Sequence, residues 1–253
     1  MPKIAADTSG AETWPSLPLE AWSETYATLH RWLQIVGKVR LVQSPWINHS
    51  WHATLYVTPS GLTTATIPYD DRTFQIDVDF VDHRLIVSRS DGGKGGFALE
   101  ARSVAWFYAR LMEELTALGL SVRIYSRPNE LADAMRFDHD ETHCAYDPVY
   151  ANRFWRILVQ VDRVFREFRS RFIGKCSAVH LFWGALDLRV RASQDAARQS
   201  IRAGFRICRT GLRAKRIHTK WQAADSGREG GRSPIPPFMR TRTRSLPASR
   251  RRR

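Results

Sequence analysis

The side chains best equipped for chemistry gather late in the sequence, at Arg171, Lys175, His180, Trp183 and Asp187. Gly174 and Lys175 read as a loop running into a strand in which His180 and Asp187 interrupt aromatic residues. An imidazole among aromatic neighbours must find a hydrogen-bond partner in a core or face a cavity. The pocket reading makes His180, Lys175 and Asp187 the candidate catalytic groups, with Arg171 and Trp183 as ligand-binding candidates. Arg171 suits an anion because its planar guanidinium matches carboxylate or phosphate. A second set, Asp138-His139-Asp140-Glu141-Thr142-His143, is dense in ligand-type side chains. His143 before a long helix and His180 after it are the two metal candidates, and a catalytic metal needs a third histidine or carboxylate besides. Each set has an ordinary alternative: a hydrogen-bonded core histidine, a polar loop, and two histidines with separate structural roles.

Other constellations are weaker. Asp77 and Asp79 fall on one side of a strand, which is more often a solvated face than an acid–base pair. Asp91-Gly92-Gly93-Lys94-Gly95-Gly96 lacks the Gly-Lys-Ser/Thr ending of a phosphate-binding loop and reads as a hairpin connection. Cys144, Cys176 and Cys208 form no disulfide framework, and none lies in a nucleophile motif.

The elements that must position these groups follow from periodicity. Leu19, Trp22, Tyr26, Leu29, Leu33 and Val36 recur in steps of three and four, predicting a helix that enters from Pro15 and Pro18 and ends near Gly37. Trp51–Val57 and Leu62–Ile67 flank Thr58-Pro59-Ser60-Gly61, a hairpin signal. Phe74, Ile76, Val78 and Phe80 alternate with polar residues, and Asp82-His83-Arg84 turns the chain into Leu85-Ile86-Val87. Ser103 caps a predicted helix stopped by Gly119, and Asp147-Pro148 starts another that runs to about Phe172. Val122–Tyr125 and Val179–Val190 are the remaining predicted strands. Hairpins grouped ahead of helices imply an α+β fold, an antiparallel sheet of hairpins packed with about three amphipathic helices, and not a parallel βαβ sheet.

Charge divides the chain. Its formal net charge is +14, yet 18 of the 39 Lys and Arg and 3 of the 25 Asp and Glu lie in residues 191–253. The first 190 residues therefore hold 21 basic and 22 acidic side chains and are neutral as a body. That body gives no electrostatic drive for specific nucleic-acid binding. The basic tail has the Arg-, Ser- and Pro-rich, aperiodic composition of a disordered segment, whose affinity for nucleic acid would be non-specific. Residues 1–13 read as a disordered leader without signal-peptide character, and no apolar run reaches the ~20 residues of a membrane span. Sparse cysteine and the missing export signal fit a cytoplasmic protein with no membrane partner.

Long strings then carry a resemblance: Trp32-Leu33-Gln34-Ile35-Val36-Gly37-Lys38-Val39-Arg40, Asp77-Val78-Asp79-Phe80-Val81-Asp82-His83, Arg171-Phe172-Ile173-Gly174-Lys175 and Val179-His180-Leu181-Phe182-Trp183-Gly184. In that order they resemble a bacterial family, domain of unknown function 5996, over about residues 14–190. The chain departs from its pattern at Ala178 and Leu181. The resemblance implies a shared fold and no particular activity. After Val190 the pattern stops, and reading the codons one nucleotide earlier restores it: Arg191–Gln199 becomes TRFSGRRAP and Ala214–Trp221 becomes REAYSHEV. Residues 191–253 are accordingly read as out of frame and 14–190 as a C-terminally truncated α+β domain. The restored REAYSHEV would supply the third metal ligand.

These observations favour a small-molecule pocket domain of unassigned reaction and cofactor. A non-catalytic interaction module docking through exposed tryptophans comes second, and non-specific nucleic-acid binding through the tail third.

Overall fold

Helix α1 (Leu19–Gln43) organises the molecule. This computed structural model describes residues 13–193 and, as backbone, 200–206 and 220–221. The chain divides into two units, Met1–Gln222 and Ala223–Arg253, and all described residues belong to the first. Pro18, extended at φ −66° and ψ 131°, delivers the chain into α1, and Glu20 in the first turn suits the positive end of the helix dipole. The helix does not stop near Gly37 as its sequence suggests. A Cβ at Gly37 would lie 2.2 Å from Cδ1 of Trp183, so this glycine makes room for a ring and the helix continues for six more residues. Every residue from Thr28 to Arg40 is buried, which makes α1 a central helix and not a half-exposed one.

The first sheet carries strands β1 (Tyr56–Val57), β2 (Gly61–Thr63), β3 (Ile67–Tyr69), β4 (Arg72–Asp79), β5 (Arg84–Arg89) and β6 (Lys94–Ala98). Its order is β1-β2-β4-β5-β6, with β3 also paired to β4, and every pairing is antiparallel. In β4 the side chains of Phe74, Ile76 and Val78 are buried while those between them are partly exposed, the expected period of two. The predicted hairpins around Thr58–Gly61 and Asp82–Arg84 are present. Trp51 to Ala53, however, belong to a 3-10 segment (Asn48–Ala53) broken at His49 and Ser50, both at φ near 60°, and not to a strand.

Helices α2 (Val104–Ala117) and α3 (Pro148–Ser170) start where expected. Ser103 Oγ accepts the amide of Trp106, and Asp147 Oδ1 accepts those of Val149 and Tyr150. Leu118 closes α2 and Gly119 follows at φ +69°, the left-handed position where glycine is free of strain. Val122–Tyr125 is not a strand. Its alternation is real, with Val122 and Ile124 packed on the core, but the segment has no ladder partner among the described residues.

The second sheet holds β7 (Lys175–Cys176), β8 (His180–Phe182), β9 (Asp187–Ser193), β10 (Ser200–Arg206) and β11 (Lys220–Trp221) in the order β11-β10-β9-β7, with β8 also on β9. The single strand predicted over Val179–Val190 is thus two strands reversed through Trp183–Leu186, where Leu186 takes φ +52°. A lone bridge between Leu55 and Leu181 joins the sheets. The expected disordered leader lies outside the described residues, as does the tail apart from 191–193, 200–206 and 220–221, which are strand. No helix among the described residues is long and apolar enough to cross a membrane.

Candidate functional site

Burying α1 on all sides from Thr28 to Arg40 forces a set of polar side chains inward. His30, Arg31, Gln34 and Lys38 are each at most 4 % exposed. Positions 30, 34 and 38 are successive turns of one helix face, so they form a row. A buried polar group requires a partner, and each of these has one from a distant part of the chain. The Nε2–H of His30 donates to the carbonyl oxygens of Trp183 at 3.0 Å and Gly184 at 2.9 Å. The Gln34 carboxamide pairs with the peptide of Asn129: Nε2 donates to its carbonyl at 2.8 Å, and Oε1 accepts its N–H at 2.7 Å. Lys38 Nζ donates to Asn129 Oδ1 at 2.9 Å.

Arg31 is fixed from several directions. Its Nη1 donates to the Ala27 carbonyl at 3.0 Å, and its Nε stands 3.1 Å from the Asp140 carboxylate. Asp140 is fully buried and accepts the Nδ1–H of His143 at 2.8 Å and the amides of Thr142 and His143. Asp133, on the irregular segment after Asn129, stands 3.7 Å from Arg31 Nη2. This segment, residues 120–136 without helix or strand, is laid along the polar face of α1. Where it meets the first half of the helix, a cleft of about 320 Å³ opens between Ser23, Tyr26, Ala27, His30, Arg31 and Leu131.

Burial pushes the Lys38 amine down to about 8. Arg40, farther along α1, is also buried but donates to the carbonyls of His52, Thr54 and Thr64 and lies over the Tyr56 ring. It ties the end of the helix to the first sheet and has the contacts of a structural staple.

The residues singled out from the sequence are distributed as follows. His180, Trp183 and Asp187 come together on the β8–β9 hairpin and are all buried. His180 packs against the rings of Trp51 and Phe182, and burial, with Arg189 and Arg40 nearby, pushes it down to about 4. Trp183 covers Gly37 and donates Nε1–H to the Ala53 carbonyl at 2.6 Å. Asp187 pairs with Arg189. Arg171 caps α3, pairs with Glu167 and points to solvent, while Lys175 is exposed at the start of β7. The hairpin therefore does not gather these two with the other three around a common cavity. His143 and His180 are engaged with different neighbours, and the described residues hold no group of three or more His, Cys, Asp or Glu side chains able to bind a metal. Asp77 accepts from Gln75 and Asp79 caps the turn at Val81 and Asp82. Cys144 is exposed and Cys176 partly buried; Cys208 lies outside the described residues.

The polar row of α1 was not singled out from the sequence. Leu29, Trp32, Leu33, Ile35, Val36 and Val39 cover about 160° of a helix and leave His30, Arg31, Gln34 and Lys38 together on the other side, the pattern of a half-exposed helix, so nothing local signals that this side is buried.

A protein-family model described as "Family of unknown function (DUF5996)" matches residues 14–211. No curated protein and no solved structure matches the chain.

Proposed function

Because the chain belongs to this family of unknown function, we propose from its own residues that the domain binds a small molecule in the cleft on α1, between Tyr26, His30 and Arg31 and beside Leu131. What carries the reading is the buried polar row. Four desolvated polar side chains on one helix are expensive for stability alone, and sites that orient ligands are where such groups concentrate. The cleft, at about 320 Å³, is in the range of small-ligand sites and is walled mainly by apolar atoms with a few polar groups. The long irregular segment beside it supports the same reading, since extended structureless connections in compact domains are commonly functional. The β8–β9 hairpin contributes by orienting His30 through the carbonyls of Trp183 and Gly184.

The test is a thermal-shift screen of several hundred small acids, amides, amines and sugars against the whole chain. Hits are then repeated on Ala27→Phe, which fills the cleft and replaces none of the polar side chains. The reading expects at least one stabilising compound whose effect is lost in the variant. No hit, or hits indifferent to Ala27→Phe, would remove it.

An interaction module is the second reading, supported by Trp46 and Ile47, adjacent and 63 % and 51 % exposed at the end of α1. Sparse cysteine favours a reducing cytoplasm, and the strings in the sequence favour a bacterial source. The frame reading, with the codons after Val190 out of frame, is also kept as a proposal: charge segregation supports it, and the family match stops at residue 211 of 253, past Val190 but short of the last residue. The nucleotide sequence across those codons decides it.

A further inference from the structure

Lys38 is 4 % exposed, and no carboxylate pairs with it among the described residues. Its surroundings are Asn129 Oδ1 at 2.9 Å and the faces of Tyr125, Trp183 and Phe137, with ring centroids 5.4, 5.8 and 6.0 Å from Nζ. An ammonium withdrawn from water is costly without a charge of opposite sign, and ring faces offset part of that cost. The same helix treats its other buried cations differently: Arg31 has Asp140, and Arg40 has three carbonyl oxygens. A lysine left without a counter-ion in an apolar box favours its neutral form, and a neutral amine is a nucleophile.

We infer that Lys38 is a reactive amine that forms an imine with a small aldehyde or ketone. The nitrogen lone pair attacks the carbonyl carbon, a C–N bond forms, and the carbonyl π electrons move to oxygen. The nitrogen loses its two hydrogens with that oxygen as one molecule of water, leaving a C=N bond, so no oxidant or other reactant is needed. Asn129 holds the amine in place through its side-chain oxygen. Of the three rings Tyr125 alone is exposed, at 57 %, and it lies on the irregular segment 120–136, so the small carbonyl compound enters on its side. With the amine at about 8, roughly one molecule in ten is neutral at pH 7, against about one in three thousand for an ordinary lysine. The inference stands on the surroundings of Lys38 and does not require the cleft at Tyr26 to be occupied.

The experiment treats the full chain with acetaldehyde and cyanoborohydride for short times between pH 6 and 9. Ethylation at each lysine is then read by peptide mass spectrometry. Lys94 and Lys175, both exposed on strands, serve as internal references. Lys38 is expected to react at least several-fold faster than either at pH 7. Its rate should level off above pH 8 while theirs still climb, and the preference should vanish in guanidinium. Labelling of Lys38 no faster than the references at every pH, or a preference that survives unfolding, overturns the inference. Because the readout is site-resolved on the unmodified protein, it does not depend on any variant folding.

Discussion

His180 shows how one residue can be legible in type and not in role. The sequence left two alternatives, a core position or a cavity wall, and the imidazole lies in the core against Trp51 and Phe182. Spacing could not decide because burial depends on β8 turning back on β9. The consequence is measurable. Burial first, and then Arg189 and Arg40, push the group down to about 4 from the ordinary 6.5. A depressed folded value means that the unfolded chain takes up the proton first. The stability involved is fully present above pH 6.5, is lost progressively as the pH falls, and is gone below about 4; it amounts to about 3 kcal/mol at most. The urea midpoint should therefore drop between pH 7 and 4.5, and His180→Phe should flatten that drop. Equal slopes in the two proteins would show that other groups control acid unfolding.

Element boundaries were readable where the signal is local and misread where a distant contact decides. Ser103, Asp147-Pro148 and Gly119 mark helix ends through capping and positive φ, and all three work as their chemistry predicts. Gly37 has the same residue type as Gly119 and the opposite meaning. It sits inside α1 with the Trp183 ring against it, a contact that no window around residue 37 contains. In an isolated helix, glycine to alanine is worth up to about 1 kcal/mol of added stability. Here Gly37→Ala is expected to destabilise by about 1–3 kcal/mol, because the methyl group would overlap Trp183 and displace the hairpin. Chemical denaturation measures the sign directly, and a more stable Gly37→Ala would mean that the ring moves aside freely. The buried polar row is hidden for a related reason: the periodicity of one apolar face implies a solvent side opposite it, whereas α1 is covered all round from Thr28 to Arg40.

For the whole molecule, the α+β class and the antiparallel pairing were legible, while the division into two sheets was not, because it rests on the turn at Trp183–Leu186. Net charge is the property most easily misread at this scale. A charge of +14 suggests a nucleic-acid protein until the excess is traced to residues 191–253. Any affinity of the chain for DNA is expected to be independent of sequence and to fall steeply with salt. Replacing Arg240, Arg242, Arg244, Arg250, Arg251, Arg252 and Arg253 with glutamine should weaken duplex binding and flatten its salt dependence without moving the melting temperature. Undiminished or sequence-selective binding by that variant would place a nucleic-acid surface on the folded body instead.

The carbonyls that satisfy His30 are 153 and 154 residues further along the chain, and the ring that seats on Gly37 belongs to the same hairpin. During synthesis α1 leaves the ribosome long before this hairpin exists. At 5–20 residues per second, the wait is on the order of ten seconds or more. For that interval the turns of α1 around His30 and Gly37 lack the cover of the hairpin, while Thr54, Thr64 and Phe107, made earlier, are already there to meet Arg40 and Trp32. Premature termination before Trp183 would leave His30 without these two carbonyl partners and Gly37 without the ring that seats on it.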